Sequence, residues 1–265
     1  MKKFAFMTLI LSLLFLTCAC AEPQRTQRAH ETTLTVFAAA SLSGVLSEIA
    51  ELYTAEYPEV NIIFNFDSSG TLRTQIMEGA ATDIFFSAAT REMEQLEEAG
   101  LLLSGTTVNI LENQVVLVAA DDSQSEIANF SDMTEALITG DVLMAMGNMD
   151  VPAGRYAEKL LQYFGLDHTS LANTGVITYA SNVRAVATQV REGNACIGIV
   201  YLTDAMDFGL HVLDIATAEM IGQVIYPAAV LSGSQNTDAA QSFLDFLQSD
   251  TAMAVFHAGG FLSPT

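Results

Sequence analysis

The stretch Leu34-Thr35-Val36-Phe37-Ala38-Ala39-Ala40-Ser41-Leu42 decides the fold. Its first six residues make a short strand-like run. From Leu42 the period changes, and Leu42, Val45, Leu46, Ile49, Ala50 and Tyr53 recur at helical spacing. A strand therefore turns into a helix through three small residues, and Pro58 closes that helix. The same alternation continues outward. Strands are expected at 60–66, 83–88, 114–120, 142–146, 175–178, 197–201 and 224–231. Helices are expected from Leu72 to Gly79 and at 93–99, 131–139, 153–164, 183–192 and 238–248. Repeated strand–helix alternation predicts an α/β fold with mainly parallel sheets.

Four connections repeat one chemistry. Ala39-Ala40-Ser41, Asp67-Ser68-Ser69-Gly70-Thr71, Val151-Pro152-Ala153-Gly154 and Ala180-Ser181-Asn182-Val183 each place small or polar residues directly before a helix. A helix start leaves backbone N–H groups without partners and carries roughly half a positive charge. Such starts bind anions without Lys or Arg. Singly, each loop reads as an ordinary helix cap. Convergence of the four would make a site, and the carboxyl ends of strands in open α/β sheets are where ligands sit.

The N-terminus reads as a processing segment. Lys2 and Lys3 precede an apolar run from Phe4 to Leu16, shorter than the roughly 20 residues of a membrane-spanning helix and suited to a signal peptide. Leu16-Thr17-Cys18-Ala19-Cys20 resembles a bacterial lipobox, with Cys20 as the lipidated residue and residues 1–19 removed. Plain cleavage near Ala19 or Ala21 is the alternative. Polar residues 20–33 read as a lipidated Cys and tether. About 245 residues then remain, comfortable for two lobes. Loss of Lys2 and Lys3 leaves 8 basic against 31 acidic residues, a net charge of −23. Such a chain repels nucleic acid. Cys196 alone remains in the folded part, which excludes an internal disulfide, and its apolar neighbours predict a packing role.

Taken together, Thr35 to Leu42, Phe66-Asp67-Ser68-Ser69-Gly70-Thr71-Leu72 with Gln75-Ile76, Gly79 to Ala88, Val151 to Ala157, Asn182-Val183-Arg184 and Gly198 to Ala205 resemble the periplasmic molybdate-binding proteins, in order and spacing. The resemblance implies a two-lobed periplasmic-binding-protein fold with the ligand in the interlobe cleft. Residues 34–112 plus 227–265 would form lobe one and 114–225 lobe two, with a hinge near Asn113 and Tyr226. It implies that Ser41 and Ser69 from one lobe, and Ala153, Val183 and Tyr201 from the other, hold a molybdate or tungstate oxyanion, with no direct metal ligands. The protein would be a monomeric, non-enzymatic component of an ABC importer, delivering its ligand to the permease. No cofactor and no nucleic-acid partner is expected, and the lipid anchor would hold the protein outside the cytoplasmic membrane. A binding protein for sulfate, ferric ion or an organic anion, or a sensor reusing the fold, stays open. The chain departs from the family pattern at Gly147-Asn148-Met149-Asp150, where relatives often have Gly-Asp-Pro, and at Gly70, where some have a third Ser.

None of the five expected contacts is charged. Each hydrogen bond to an ionised group contributes roughly 1.5–3 kcal/mol, so several together exceed the roughly 8.2 kcal/mol of an affinity near 1 μM. A donor-only site also selects by protonation, because phosphate keeps a proton near neutral pH while molybdate, tungstate and sulfate do not. Arg184 and Arg73 adjoin these loops and are expected to point into solvent. Asp67 and Asp150 read as caps or surface groups. His30, His168, His211 and His257 show no metal-ligand spacing.

Overall fold

The computed structural model describes residues 32–120 and 126–264. The signal segment and Cys20 lie outside the described residues. The chain opens with β1 (Thr32–Ala39), a 3-10 turn (Ala40–Leu42), α1 (Ser43–Glu56), β2 (Val60–Asp67), α2 (Ser69–Met77), β3 (Ile84–Phe86), α3 (Thr90–Glu98) and β4 (Val108–Asn113). It continues through β5 (Val115–Ala119), α4 (Phe130–Thr139), β6 (Met144–Gly147), α5 (Pro152–Tyr163), α6 (His168–Asn173), β7 (Ile177–Ala180), α7 (Val183–Arg191), β8 (Ile197–Tyr201), α8 (Leu202–Phe208) and β9 (His211–Ile215). It ends with α9 (Ala218–Ile221), β10 (Val224–Val230), α10 (Thr237–Phe246) and α11 (Asp250–Ala258).

The strands sort into two five-stranded sheets, β2-β1-β3-β10-β4 and β7-β6-β8-β5-β9. In the first, β1 pairs parallel with β2 and β3, while β10 pairs antiparallel with β3 and β4. In the second, β6 pairs parallel with β7 and β8, while β5 pairs antiparallel with β8 and β9. Helices flank both sheets in the two-lobed α/β arrangement of the binding proteins. The parallel strand–helix units are the part visible as alternation in the sequence. The antiparallel pairs arise where the chain changes sheet, from β4 to β5 and back to β10.

The inner strands are apolar because both faces are covered. All five residues of β5 and all five of β8 are buried. The outermost strands β4 and β9 carry a mixed pattern, Val108-Asn109-Ile110-Leu111-Glu112-Asn113 and His211-Val212-Leu213-Asp214-Ile215. That mixture hid them from the sequence reading. Residues from both sheets join in one core, running from Leu34, Val36 and Ile84 to Leu117, Ile199 and Val200, while Phe37, Phe85 and Ala229 of the first sheet pack with Leu72, Ile76 and Met93 in a second. Aromatic rings fill its centre, where Tyr226 meets Tyr201 at 5.7 Å and Phe261 at 5.4 Å between centroids.

One expectation fails. Cys196 is exposed. It lies just before β8, and its neighbours Ala195 and Ile197 turn inward. Residues 194–196 form a bend that leads into the strand and leaves the thiol outside.

Candidate functional site

The site is set by strand register. Ala39 at the end of β1 lies opposite Asp67 at the end of β2. The turn carrying Ser41 and the start of α2 carrying Ser69 therefore leave the sheet side by side. In the second sheet Gly147 lies opposite Ala180, so the starts of α5 and α7 also emerge together. Tyr201 ends β8, the other neighbour of β6.

These ends converge on one cavity of about 10 Å³, whose walls include Ser41, Ser69, Ala153, Val183 and Tyr201. All five residues expected from the sequence are thus brought together. The volume is close to the roughly 10–15 Å³ that holds a single water molecule. The loops also meet each other across the site. A Cβ on Gly70 would lie 2.0 Å from the Asp150 carbonyl oxygen. A third Ser at this position therefore cannot fit without backbone displacement.

The wall presents donors. Ala153 and Val183 occupy the first turns of α5 and α7, where N–H groups have no acceptor inside the helix. Neighbouring caps leave them alone: Asn182 Oδ1 accepts from Ala185 N rather than from Val183. Ser68 caps α2 by accepting from Thr71 N at 3.1 Å. Ser69 Oγ accepts from Ala88 N at 2.9 Å, so its own proton remains to be given. Ser41 Oγ lies 3.0 Å from Tyr226 Oη. Tyr201 is 1% exposed, and its hydroxyl has no partner in the protein. Burial pushes the Tyr201 and Tyr226 hydroxyls well above the ordinary phenol range, so both keep their protons.

The nearby charges turn elsewhere. Arg184 pairs with Asp207 at 2.8 Å and stacks its guanidinium over Phe208, as expected for a solvent-directed side chain. Arg73 binds Gln95 and Thr74 and lines a separate cavity with Arg91 and Arg155. Arg155 of α5 forms an ion pair with Glu92 of α3, tying the flanks of the two sheets together. Burial raises the Glu92 carboxyl, and Arg155 pulls it back. Asp150 is exposed, whereas Asp67 accepts from Ser68 N and from Asn182 Nδ2. His168 bonds Tyr179 and His257 bonds Ser263, both on the surface. Among the described residues no cluster of three or more His, Cys, Asp or Glu is placed to hold a metal ion.

A buried carboxyl escaped the sequence reading. Asp204, in the first turn of α8, is 0% exposed. Neither of its carboxylate oxygens has a hydrogen-bond partner. Burial pushes it up to about 7 against the pull of Arg184. Asn113 and Tyr226 were also missed as site residues, being remote from the four loops in sequence. Their only signal is a polar group within a strand-like apolar run.

The family model for bacterial extracellular solute-binding proteins matches residues 34–262. The chain belongs to this family. Its members bind solutes, and the protein is not an enzyme. The chain is 32% identical over 264 residues to YvgL of Bacillus subtilis, named as a candidate ABC-transporter substrate-binding lipoprotein, covering 98% of each chain. It is also 32% identical over 230 residues to the molybdate-binding protein ModA of Haemophilus influenzae, covering 86% of this chain and 89% of that one. A solved structure, the substrate-binding domain of a candidate molybdenum ABC transporter from Clostridium difficile, matches with 31% identity. Its TM-score is 0.65, covering 88% of this chain and all of the other.

Proposed function

We propose that this protein captures molybdate or tungstate outside the cytoplasmic membrane and delivers it to an ABC permease. One observation carries the reading. A small cavity is walled by Ser41, Ser69, Ala153, Val183 and Tyr201, and the buried Tyr201 hydroxyl has no protein partner. An unpartnered buried polar group costs roughly 1–3 kcal/mol, so an acceptor-rich guest recovers that cost. The names of the related proteins point to the same solute class. Lipidation at Cys20 would keep the protein at the membrane surface beside its permease, as a monomer. Residues 34–112 with 227–265 and residues 114–225 would act as the two lobes that open to admit the ion.

The direct test is calorimetric titration of the purified full chain with molybdate, tungstate, sulfate and phosphate. One-site molybdate binding at micromolar affinity or better, with phosphate silent, is expected. Silence of the folded protein toward both molybdate and tungstate would overturn the reading.

A further inference from the structure

A chain of hydrogen bonds runs from the junction of the two sheets to the site. It begins where β4 passes into β5. Gln114 N donates to Asn113 Oδ1 at 2.8 Å. That contact fixes the amide, because a flipped Asn113 would set two donors face to face. Asn113 Nδ2 therefore points away and donates to Thr203 Oγ1 at 3.0 Å and to Tyr226 Oη at 3.2 Å. Tyr226 Oη in turn lies 3.0 Å from Ser41 Oγ. Asn113, Tyr226 and Ser41 are all buried.

Only one direction of the last bond puts the spare proton where a guest can accept it. If Ser41 donated to Tyr226, the phenolic proton of Tyr226 would have no acceptor, which is rare and costly in a buried site. If Tyr226 donates, Ser41 Oγ becomes an acceptor on that side. Its own proton then turns to the cavity it lines.

We infer that Asn113 and Tyr226 are positioning residues that bias Ser41 toward donation and so favour fully deprotonated oxyanions. The inference rests on the donor-only reading of the site. Neither residue lines the cavity; they act through Ser41. A free serine hydroxyl can donate or accept, and so could receive the proton of a partly protonated anion such as hydrogen phosphate. Donation from Tyr226 occupies one of the two lone pairs of Ser41 and biases that choice toward donation. It would also tie the donor state of Ser41 to the segment where the chain passes between the sheets.

The test is titration of the purified full chain with molybdate and with phosphate at pH 7, for wild type, Ser41→Ala, Tyr226→Phe and Asn113→Asp. Tyr226→Phe frees the Ser41 hydroxyl. Phosphate, silent on wild type, is expected to bind measurably, bringing the ratio of molybdate to phosphate affinity at least tenfold below the wild-type lower bound. Asn113→Asp is nearly isosteric and replaces the donor with an acceptor. Tyr226 then donates to the introduced carboxylate and Ser41 donates to Tyr226, so the lone pairs of Ser41 face the guest. The ratio should fall further in that variant, measured on protein shown to be folded by circular dichroism. A purely structural role would weaken both anions together or lower stability at an unchanged ratio. An unchanged ratio in folded Asn113→Asp and Tyr226→Phe, with Ser41→Ala impaired, overturns the relay and leaves the proposed function standing. A wild type that ignores molybdate overturns the proposed function itself, and the relay with it.

Discussion

The two sheets are built alike but dress the site differently. In each, a central strand pairs parallel with two neighbours, and an antiparallel pair completes the sheet. In each, the first two parallel strands feed loops into the cavity. The first sheet contributes hydroxyls that are already held: Ser69 by the Ala88 amide and Ser41 by Tyr226. The second contributes bare amides at Ala153 and Val183 and a Tyr201 hydroxyl with no partner. Asp204, one helical turn beyond Tyr201, is likewise buried without a partner. One half is set in the empty protein, and the other half holds a Tyr201 hydroxyl that the proposed oxyanion would satisfy, while Asp204 lies outside the cavity wall. Similar backbones can thus divide the labour of preorganisation and response.

The sharpest way to break this arrangement is to keep the halves apart. Gly70→Ser sets a side chain against the Asp150 carbonyl, where even a Cβ would lie 2.0 Å away. Titration calorimetry should show affinity reduced at least about 100-fold, more than about 2.7 kcal/mol. Unchanged affinity would mean that the loops close differently.

Asp204→Asn tests the second half alone. The carboxyl of Asp204 is raised in the folded protein to about 7 from an ordinary value of 3.8. Between those values the folded state holds a proton that the unfolded state has released, so stability falls as pH rises toward about 7 and then levels. The variant should match wild type near pH 4 and exceed it by a few kcal/mol at pH 8. Chemical denaturation at both pH values decides this; parallel profiles would show that the carboxyl is not the source of the slope.

Tyr201→Phe should separate affinity from stability. Affinity is expected to fall by roughly 1.5–3 kcal/mol, while the unliganded protein melts higher because an unpaired hydroxyl is gone. The smallest effect is expected from Ser69→Ala. It removes the acceptor for Ala88 N, so affinity and unliganded stability should fall together, the latter by about 1 kcal/mol. If both variants moved stability in the same direction, the contrast between prepared and waiting halves would fail.

Much of this was legible in the sequence because local pattern carries it. The strand–turn–helix units at Leu34–Tyr53 and around Ser69, Ala153 and Val183 announce themselves by a change of period. Small residues mark where the backbone must be approached. Resemblance singled out Tyr201, which the residues alone would leave as a core tyrosine. Other features depend on partners far along the chain. Strands β4 and β9 sit at sheet edges, where half-solvated faces blur the alternation. Asn113 and Tyr226 are separated by 113 positions, and nothing local in either stretch points to Ser41. The orientation of Cys196 turned on the bend that leads into the strand, and its apolar neighbours pointed the wrong way.

Asp67 and Asn182 are the partly exposed members of the cavity wall, and they meet through a 3.4 Å hydrogen bond. They are the members of the wall that solvent reaches, and a bond that long is weak. The bolt is therefore light, and most of the resistance to opening would lie in the proposed guest, bridging both halves. Residence time then becomes a property of the cargo: an ion satisfying every donor stays, and one leaving Tyr201 unanswered departs quickly. Selectivity would thus be read in dissociation rates, with arrival rates alike for all small dianions.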